Sequence, residues 1–109
     1  MNEAAKMLDM FELVGSLLAV KGLDSLIEDY KNAPEENAAQ KHGLRLQMCA
    51  LLSKREEKKL EKLCALENDK TVEEIRAMSD KERVQVYLET VMGVVAPFLA
   101  RSPKQDGNK

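Results

Sequence analysis

The chain has 109 residues, of which 44% are hydrophobic and 33% are charged, and its formal net charge is -2 at pH 7. A chain of this length has room for one domain with one modest core. So small a net charge gives no electrostatic reason to expect a nucleic acid or an anionic membrane as the partner. With no Trp, two Phe and two Tyr, the core must be built from aliphatic side chains and methionine, which favours helices over strands. We therefore expect an all-α protein whose partners are proteins.

Cys49 and Cys64 lie inside apolar helical patterns, and we expect no secretory leader. This context favours buried, reduced thiols in a cytoplasmic protein over a disulfide. The longest stretch without a charged residue, 90–100, contains Gly93 and Pro97. It is much shorter than the roughly 20 apolar residues that a membrane span requires, so we expect no association with a membrane.

The first predicted helix, 3–20, is apolar on two sides. One seam contains Ala4, Met7, Phe11, Val14 and Leu18, and the other contains Met10, Leu13, Leu17 and Val20. At roughly 100° per residue the two seams lie about 120° apart. One can face the core while the other meets a partner or another subunit, unless neighbouring helices of the same chain cover both. We predict that the second seam binds the partner.

Further breaks and helices follow along the chain. Gly22 is expected to interrupt the first helix, after which LDSLIEDY predicts a short second helix. Pro34 is placed at the start of a third helix that runs to about Ser53, and Gly43 inside it suggests close packing or a local break. The segment SKREEKKLEKLCAL predicts a fourth helix, in which interleaved charges of both signs indicate a solvated face and not a nucleic-acid patch.

Two capping boxes follow within eight residues of each other. Thr71 with Glu74, and Ser79 with Glu82, each place a hydroxyl three residues before a glutamate, which is the signature of a helix N-terminus. They predict a short helix and then a long one, which Pro97 should end or kink. Residues 101–109 carry no aliphatic or aromatic anchor and are expected to be a disordered polar tail. The overall prediction is a single compact bundle of about five to six helices over residues 1–100.

The sequence contains little catalytic or metal-binding chemistry. The best metal-ligand set is His42, Cys49 and Cys64, which lacks the close cysteine pairs of zinc sites. With a single histidine, no nucleophile motif and no phosphate loop, we predict no catalytic residue, no metal and no cofactor. The two capped helices could form a DNA-reading helix-turn-helix, but the second begins with Asp80, Lys81, Glu82 and Arg83. Carboxylates there disfavour contact with base edges.

The order of these helices resembles that of the small tail assembly chaperones of long-tailed bacteriophages and prophages. Members often carry a segment of the kind L-x-x-x-K-[ST]-V-E-E-I-x-x-M, followed by an aliphatic helix. The matching residues in this chain are Leu66, Lys70, Thr71, Val72, Glu73, Glu74, Ile75 and Met78. The resemblance extends over roughly residues 44–99.

The resemblance implies a non-enzymatic role in the cytoplasm of a bacterial host cell. Such a protein binds the long helical tape measure protein, keeps it soluble and helps tail-tube protein assemble around it, and a homo-oligomer is expected. An exposed apolar seam on the first helix would suit a helical client. The alternative is a small helical adaptor or regulatory protein that homodimerises through the same helix, and the sequence leaves both readings open.

Overall fold

Residues 2–100 are described by the computed structural model, and within that range the chain is helical and contains no β-strand. The elements are α1 (Glu3–Leu18), α2 (Leu23–Asn32), α3 (Ala38–Glu67), α4 (Val72–Ala77), α5 (Asp80–Thr90), a π-helical turn (Val91–Val95) and α6 (Ala96–Ala100). The prediction of an all-α bundle is confirmed. The predicted tail, 101–109, lies outside the described residues.

The turn between α1 and α2 depends on Gly22. Its φ of 98° lies in the left-handed region, where a Cβ is sterically disfavoured. A Cβ at this position would meet its nearest neighbour, Leu51 Cδ2, at 3.7 Å, so the constraint is conformational and not a lack of space. The predicted break at Gly22 is confirmed, although α1 ends at Leu18 and not at Val20.

Asn37 is the N-cap of the third helix, which therefore begins at Ala38 and not at Pro34. The Asn37 side-chain oxygen accepts a hydrogen bond from the Gln40 backbone N–H at 3.0 Å, while the Asn37 N–H closes a turn onto the Pro34 carbonyl at 3.0 Å. The predicted start at Pro34 was wrong because Ala33 would then be the cap and its side chain has no acceptor, whereas the Asn37 side chain satisfies an unpaired N–H of the first helical turn.

The long helix α3 is kinked at Glu56, where φ is -141° and ψ is 52°. A straight helix of 30 residues would be about 45 Å long, which exceeds the longest dimension of the protein, 42 Å. The helix therefore bends at Glu56 into two arms, 38–55 and 57–67.

The kink lies where the apolar stripe of α3 is interrupted. Leu52 and Leu60 are both fully buried, but residues 53–59 contain no apolar side chain. With nothing apolar to bury on any side, that stretch has no packing reason to remain straight. The prediction of two separate helices is confirmed, with the boundary at Glu56 instead of Ser53.

Both capping boxes are formed. Thr71 Oγ1 accepts from the Glu74 N–H at 3.1 Å, and Glu74 Oε1 accepts from the Thr71 N–H at 2.8 Å. At the second box, Ser79 Oγ accepts from the Glu82 N–H at 3.2 Å, and Glu82 Oε1 accepts from the Ser79 N–H at 3.1 Å. The predicted corner of a short helix followed directly by a second helix is confirmed.

Pro97 does not end the last helix. The π-helical turn precedes it, and there the Ala96 N–H donates to the Val91 carbonyl, five residues earlier. In a regular α-helix the proline ring would collide with the carbonyl four residues before it. The wider turn changes the hydrogen bonding at that point, and α6 continues through Pro97 to Ala100. Of the two outcomes predicted for this proline, an end or a kink, the end is wrong, and the helix instead departs from regular α-helical geometry just before Pro97.

The core is aliphatic, as the composition predicts. Its largest fully buried side chains are Leu17, Leu23, Met48, Leu52, Leu60, Leu63 and Ile75, with Val14, Val91 and Val95 beside them. Gly43 contributes neither close packing nor a break, because α3 runs through it and a Cβ there would meet nothing within 4 Å. In the described range, each helix is too short or too polar to cross a membrane.

Candidate functional site

The predicted partner-binding seam of α1 faces the protein's own interior. Leu17 is fully buried and Val20 is 9% exposed, while Met10 and Leu13 are half-buried and pack against the core. The expectation that this seam is free for a partner is therefore corrected. The helix α3 packs against α1, and the residues of this seam belong to the core or pack against it.

The exposed apolar surface of α1 lies near the N-terminus, where Met7 and Phe11 of the other seam adjoin Leu8, whereas Val14 of that seam is buried. Met7 is 49% exposed, Leu8 67% and Phe11 48%, and Phe98 from α6, 42% exposed, joins them. The rings of Phe11 and Phe98 lie 5.8 Å apart between centroids, at 60° to one another, which is a favourable aromatic geometry. We call Met7, Leu8, Phe11 and Phe98 the α1 patch.

The charges beside the α1 patch are acidic. At roughly 100° per residue Glu3 and Glu12 flank the patch on its two sides, and both are exposed. The nearest basic residue of the helix, Lys6, donates to Asp69 Oδ1 at 2.6 Å. That contact raises the pKa of Lys6 and lowers the pKa of Asp69, so the lysine charge is compensated. The patch is an apolar surface with exposed carboxylates at its edges.

The polar cluster between α3, α4 and α5 is structural. Glu61, 3% exposed, accepts hydrogen bonds at Oε1 from Arg76 Nε at 3.1 Å and from Arg76 Nη2 at 2.9 Å. The fully buried Thr90 donates to Glu67 at 3.2 Å. Oε1 of Glu61 is occupied by the guanidinium, and no histidine lies among these residues. The Cys64 thiol, which lies beside Thr90, is protonated at neutral pH because burial raises its pKa to about 11. The cluster joins three helices and offers no catalytic arrangement.

Both thiols are free and buried. Burial raises the pKa of Cys49 and the pKa of Cys64 to about 11, so at neutral pH each is protonated and a weak nucleophile. The prediction of buried structural thiols is confirmed. His42 is exposed on α3. Among residues 2–100 no group of histidine, cysteine and carboxylate side chains is arranged to hold a metal ion.

A second opening lies between the first arm of α3 and α5, with a volume of about 390 Å³. We call it the α3–α5 cleft. Its apolar lining consists of Leu46, Cys49, Ala50, Val84 and Tyr87, and its polar lining of Ser53, Glu57, Asp80 and Arg83. Leu46 is 39% exposed and Val84 46%, so two of the large exposed apolar side chains open into this cleft. Sequence reasoning missed it, because its lining comes from two helices, α3 and α5, that lie far apart in the sequence and meet only in the folded chain.

No protein-family model matches this chain, and comparisons with curated proteins and with solved structures found no match either.

Proposed function

We propose that this protein is a tail assembly chaperone of a long-tailed bacteriophage or prophage. It binds the tape measure protein as a helical client in the cytoplasm of the bacterial host cell, keeps it soluble and assists tail-tube assembly. The observation that carries the proposal is the α1 patch, an exposed apolar surface on a protein without any evident catalytic arrangement in its described part. The order of the helices and the segment from Leu66 to Met78 supply the link to this family.

The α1 patch has the properties of a surface that binds helices. Met7, Leu8 and Phe11 follow one another at spacings of one and three along α1 and form a continuous apolar strip. Phe98 extends the strip onto a second helix, so a client helix can contact both. Methionine and phenylalanine side chains adapt to different apolar partners, as a chaperone for a long client requires.

The carboxylates at the edges of the α1 patch indicate the charge of the client helix. Glu3 and Glu12 would attract a helix whose apolar strip is flanked by lysine or arginine, and they would repel an acidic one. A symmetric dimer through this patch would bring the same carboxylates of two copies together. The charge pattern therefore favours a basic amphipathic client over homodimerisation, which is the mode of action of the alternative adaptor protein.

Co-expression tests the proposal. The tape measure gene is sought beside the gene for this protein, between a tail-tube gene and the later tail genes, and its product is expressed with and without this protein. We expect the tape measure protein to be insoluble alone and soluble with wild-type protein. With Leu8→Gln/Phe11→Gln it should return to the insoluble fraction, while Lys81→Gln, an exposed control on α5, should act as wild type.

Two results would reject the chaperone. One is a genome that lacks tail genes beside this one, and the other is equal client solubility with and without this protein. A stable dimer in sedimentation that Leu8→Gln/Phe11→Gln dissociates would instead support the adaptor.

A further inference from the structure

The α3–α5 cleft is a second apolar opening that the proposed function does not use. It lies between two helices, and its volume of about 390 Å³ is within the range of ligand-binding pockets. The Tyr87 hydroxyl, in a side chain that lines the cleft, is buried without a hydrogen-bond partner among the described residues. Unsatisfied buried polar groups are uncommon in folded proteins, and this one belongs to a side chain that lines the cleft.

The polar side of the cleft carries an excess of negative charge. Arg83 donates to Asp80 at 3.2 Å, so each compensates the other. Glu57 is exposed, and no ion pair involves it in the described part of the chain. The pKa of Tyr87 is raised to about 12, first by burial and then by the charge of Glu61, with a smaller contribution from Glu57. An apolar group with a positive charge next to it would complement this surface.

We propose that the α3–α5 cleft binds a basic amphipathic helix of a protein partner. A leucine- or methionine-sized side chain of that helix enters between Leu46 and Val84, and a lysine or arginine about one turn away pairs with Glu57. A helix docked by one apolar anchor in a groove with a charge pair at its edge is an established mode of recognition. The proposal does not depend on the identity of the client at the α1 patch.

Two other occupants lack the required chemistry. Residues 101–109, RSPKQDGNK, carry basic side chains but no leucine, methionine or aromatic residue to enter an apolar cleft. A second copy of this protein could present α1, whose flanking Glu3 and Glu12 have the same charge as Glu57, or its own cleft, which carries Glu57 itself. Like charges across an interface are destabilising, so the cleft fits an external basic helix better than either.

The test uses two synthetic 18-residue helical peptides with the same leucine face, one with lysine and one with glutamate on the polar face. Each is titrated into ¹⁵N-labelled full-length Leu8→Gln/Phe11→Gln, so that the α1 patch cannot contribute. We expect the lysine peptide to shift the amide resonances of Ala50, Val84 and Tyr87, and the glutamate peptide to bind at least tenfold more weakly. Glu57→Lys should weaken binding of the lysine peptide at least fivefold, and Ala50→Phe, which fills the cleft from an exposed position, should abolish the shifts.

Several results would overturn the proposal. They are shifts confined to residues outside the cleft, equal affinity of the two peptides, and unchanged affinity in Glu57→Lys or Ala50→Phe variants whose circular dichroism is that of the parent. Sedimentation of the same variants separates the other occupants, because a change in mass on Ala50→Phe would assign the cleft to a second copy. Failure here leaves the chaperone proposal standing, because that depends on the α1 patch and on a different measurement.

Discussion

Single residues determine where the helices of this fold begin and end. The clearest case is the pair of hydroxyl groups in the capping boxes of α4 and α5. Thr71 and Ser79 each satisfy an N–H of the helix that follows. Thr71→Ala or Ser79→Ala should lower the free energy of unfolding by about 1 kcal/mol, because a donor at the helix end loses its partner. Urea denaturation measures the loss, and Thr71→Ser, which keeps the hydroxyl, should lose much less. An unchanged urea midpoint in both alanine variants would contradict the role of these caps.

Two glycines should respond in opposite ways to alanine. At Gly43 the backbone is helical and a Cβ would meet nothing within 4 Å, so Gly43→Ala should stabilise the protein by about 0.5–1 kcal/mol through the reduced entropy of the unfolded chain. Gly22 has a φ of 98°, so Gly22→Ala should destabilise it by about 1 kcal/mol or more. Thermal unfolding measures the stability of the two variants. A change of the same sign in both would contradict the prediction.

Tyr30 is a residue whose role no sequence pattern indicated. The Lys41 ammonium lies 4.4 Å from the centroid of its ring and donates to its carbonyl at 2.9 Å. Arg45 Nη2 donates to the Tyr30 hydroxyl at 3.0 Å. These contacts of Lys41 and Arg45 with Tyr30 stabilise the packing of the end of α2 against the start of α3. A tyrosine and two cations separated by a loop give no periodic signal, so only the folded chain reveals this contact.

At the scale of elements, local chemistry predicted more than long-range packing did. The capping boxes and the break at Gly22 follow from residues within a few positions of one another, and all three were predictable. The π-helical turn before Pro97 and the cap of α3 at Asn37 were not predicted, because in each case two local alternatives compete within a few residues and the sequence does not show which one prevails. The direction of the chain after Glu56 is likewise set by what the two arms of α3 pack against.

Because α3 is kinked at Glu56, the free energy of unfolding should depend little on the helix propensity of the residue at this position. Because its φ and ψ are already non-helical, Glu56→Gly should change the free energy of unfolding by less than about 0.5 kcal/mol. Lys62→Gly, at an exposed position inside the second arm, should cost about 1 kcal/mol. Chemical denaturation of the pair distinguishes a kinked α3 from a continuous one, since a continuous helix would make the two losses similar.

At the scale of the whole molecule, the buried thiols link stability to alkaline pH. The folded-state pKa of each thiol is about 11, above its ordinary value of 9.0. Their stabilising contribution is therefore complete below pH 9 and is lost as the pH rises through 11. We expect the free energy of unfolding to fall over that window by a value on the order of 2 kcal/mol per thiol, less in variants with Cys49→Ala or Cys64→Ala. A stability that is flat from pH 8 to 11 would contradict the burial of both thiols.

The same burial predicts slow thiol chemistry. In native protein at pH 8, neither cysteine should react with 5,5′-dithiobis(2-nitrobenzoate) within minutes, because both are protonated and covered. Both should react at once in 6 M guanidinium chloride. Fast reaction of one thiol in the native state would show that the core opens locally at that site.

The candidate surface could be predicted only in part. Two apolar seams on α1 are visible in the sequence, and so is the expectation that one of them remains free. Which parts of the two seams the core covers depends on the bundle: Leu17 and Val20 of one seam and Val14 of the other are buried, whereas Met7 and Phe11 are exposed. The addition of Phe98 and the existence of the α3–α5 cleft depend on contacts between distant parts of the chain, which periodicity alone does not encode.

The most direct test of the central claim is the affinity of this protein for a purified helical segment of the tape measure protein, measured by isothermal titration calorimetry. Wild-type protein should bind with a negative heat capacity change, as apolar burial requires. Leu8→Gln/Phe11→Gln should weaken binding at least tenfold while the fold is retained, with only a small loss of thermal stability from the Phe11–Phe98 contact, and Lys81→Gln should bind as wild type. Equal affinity of the wild-type and the α1-patch variant for the segment, or no binding by either, would contradict the account.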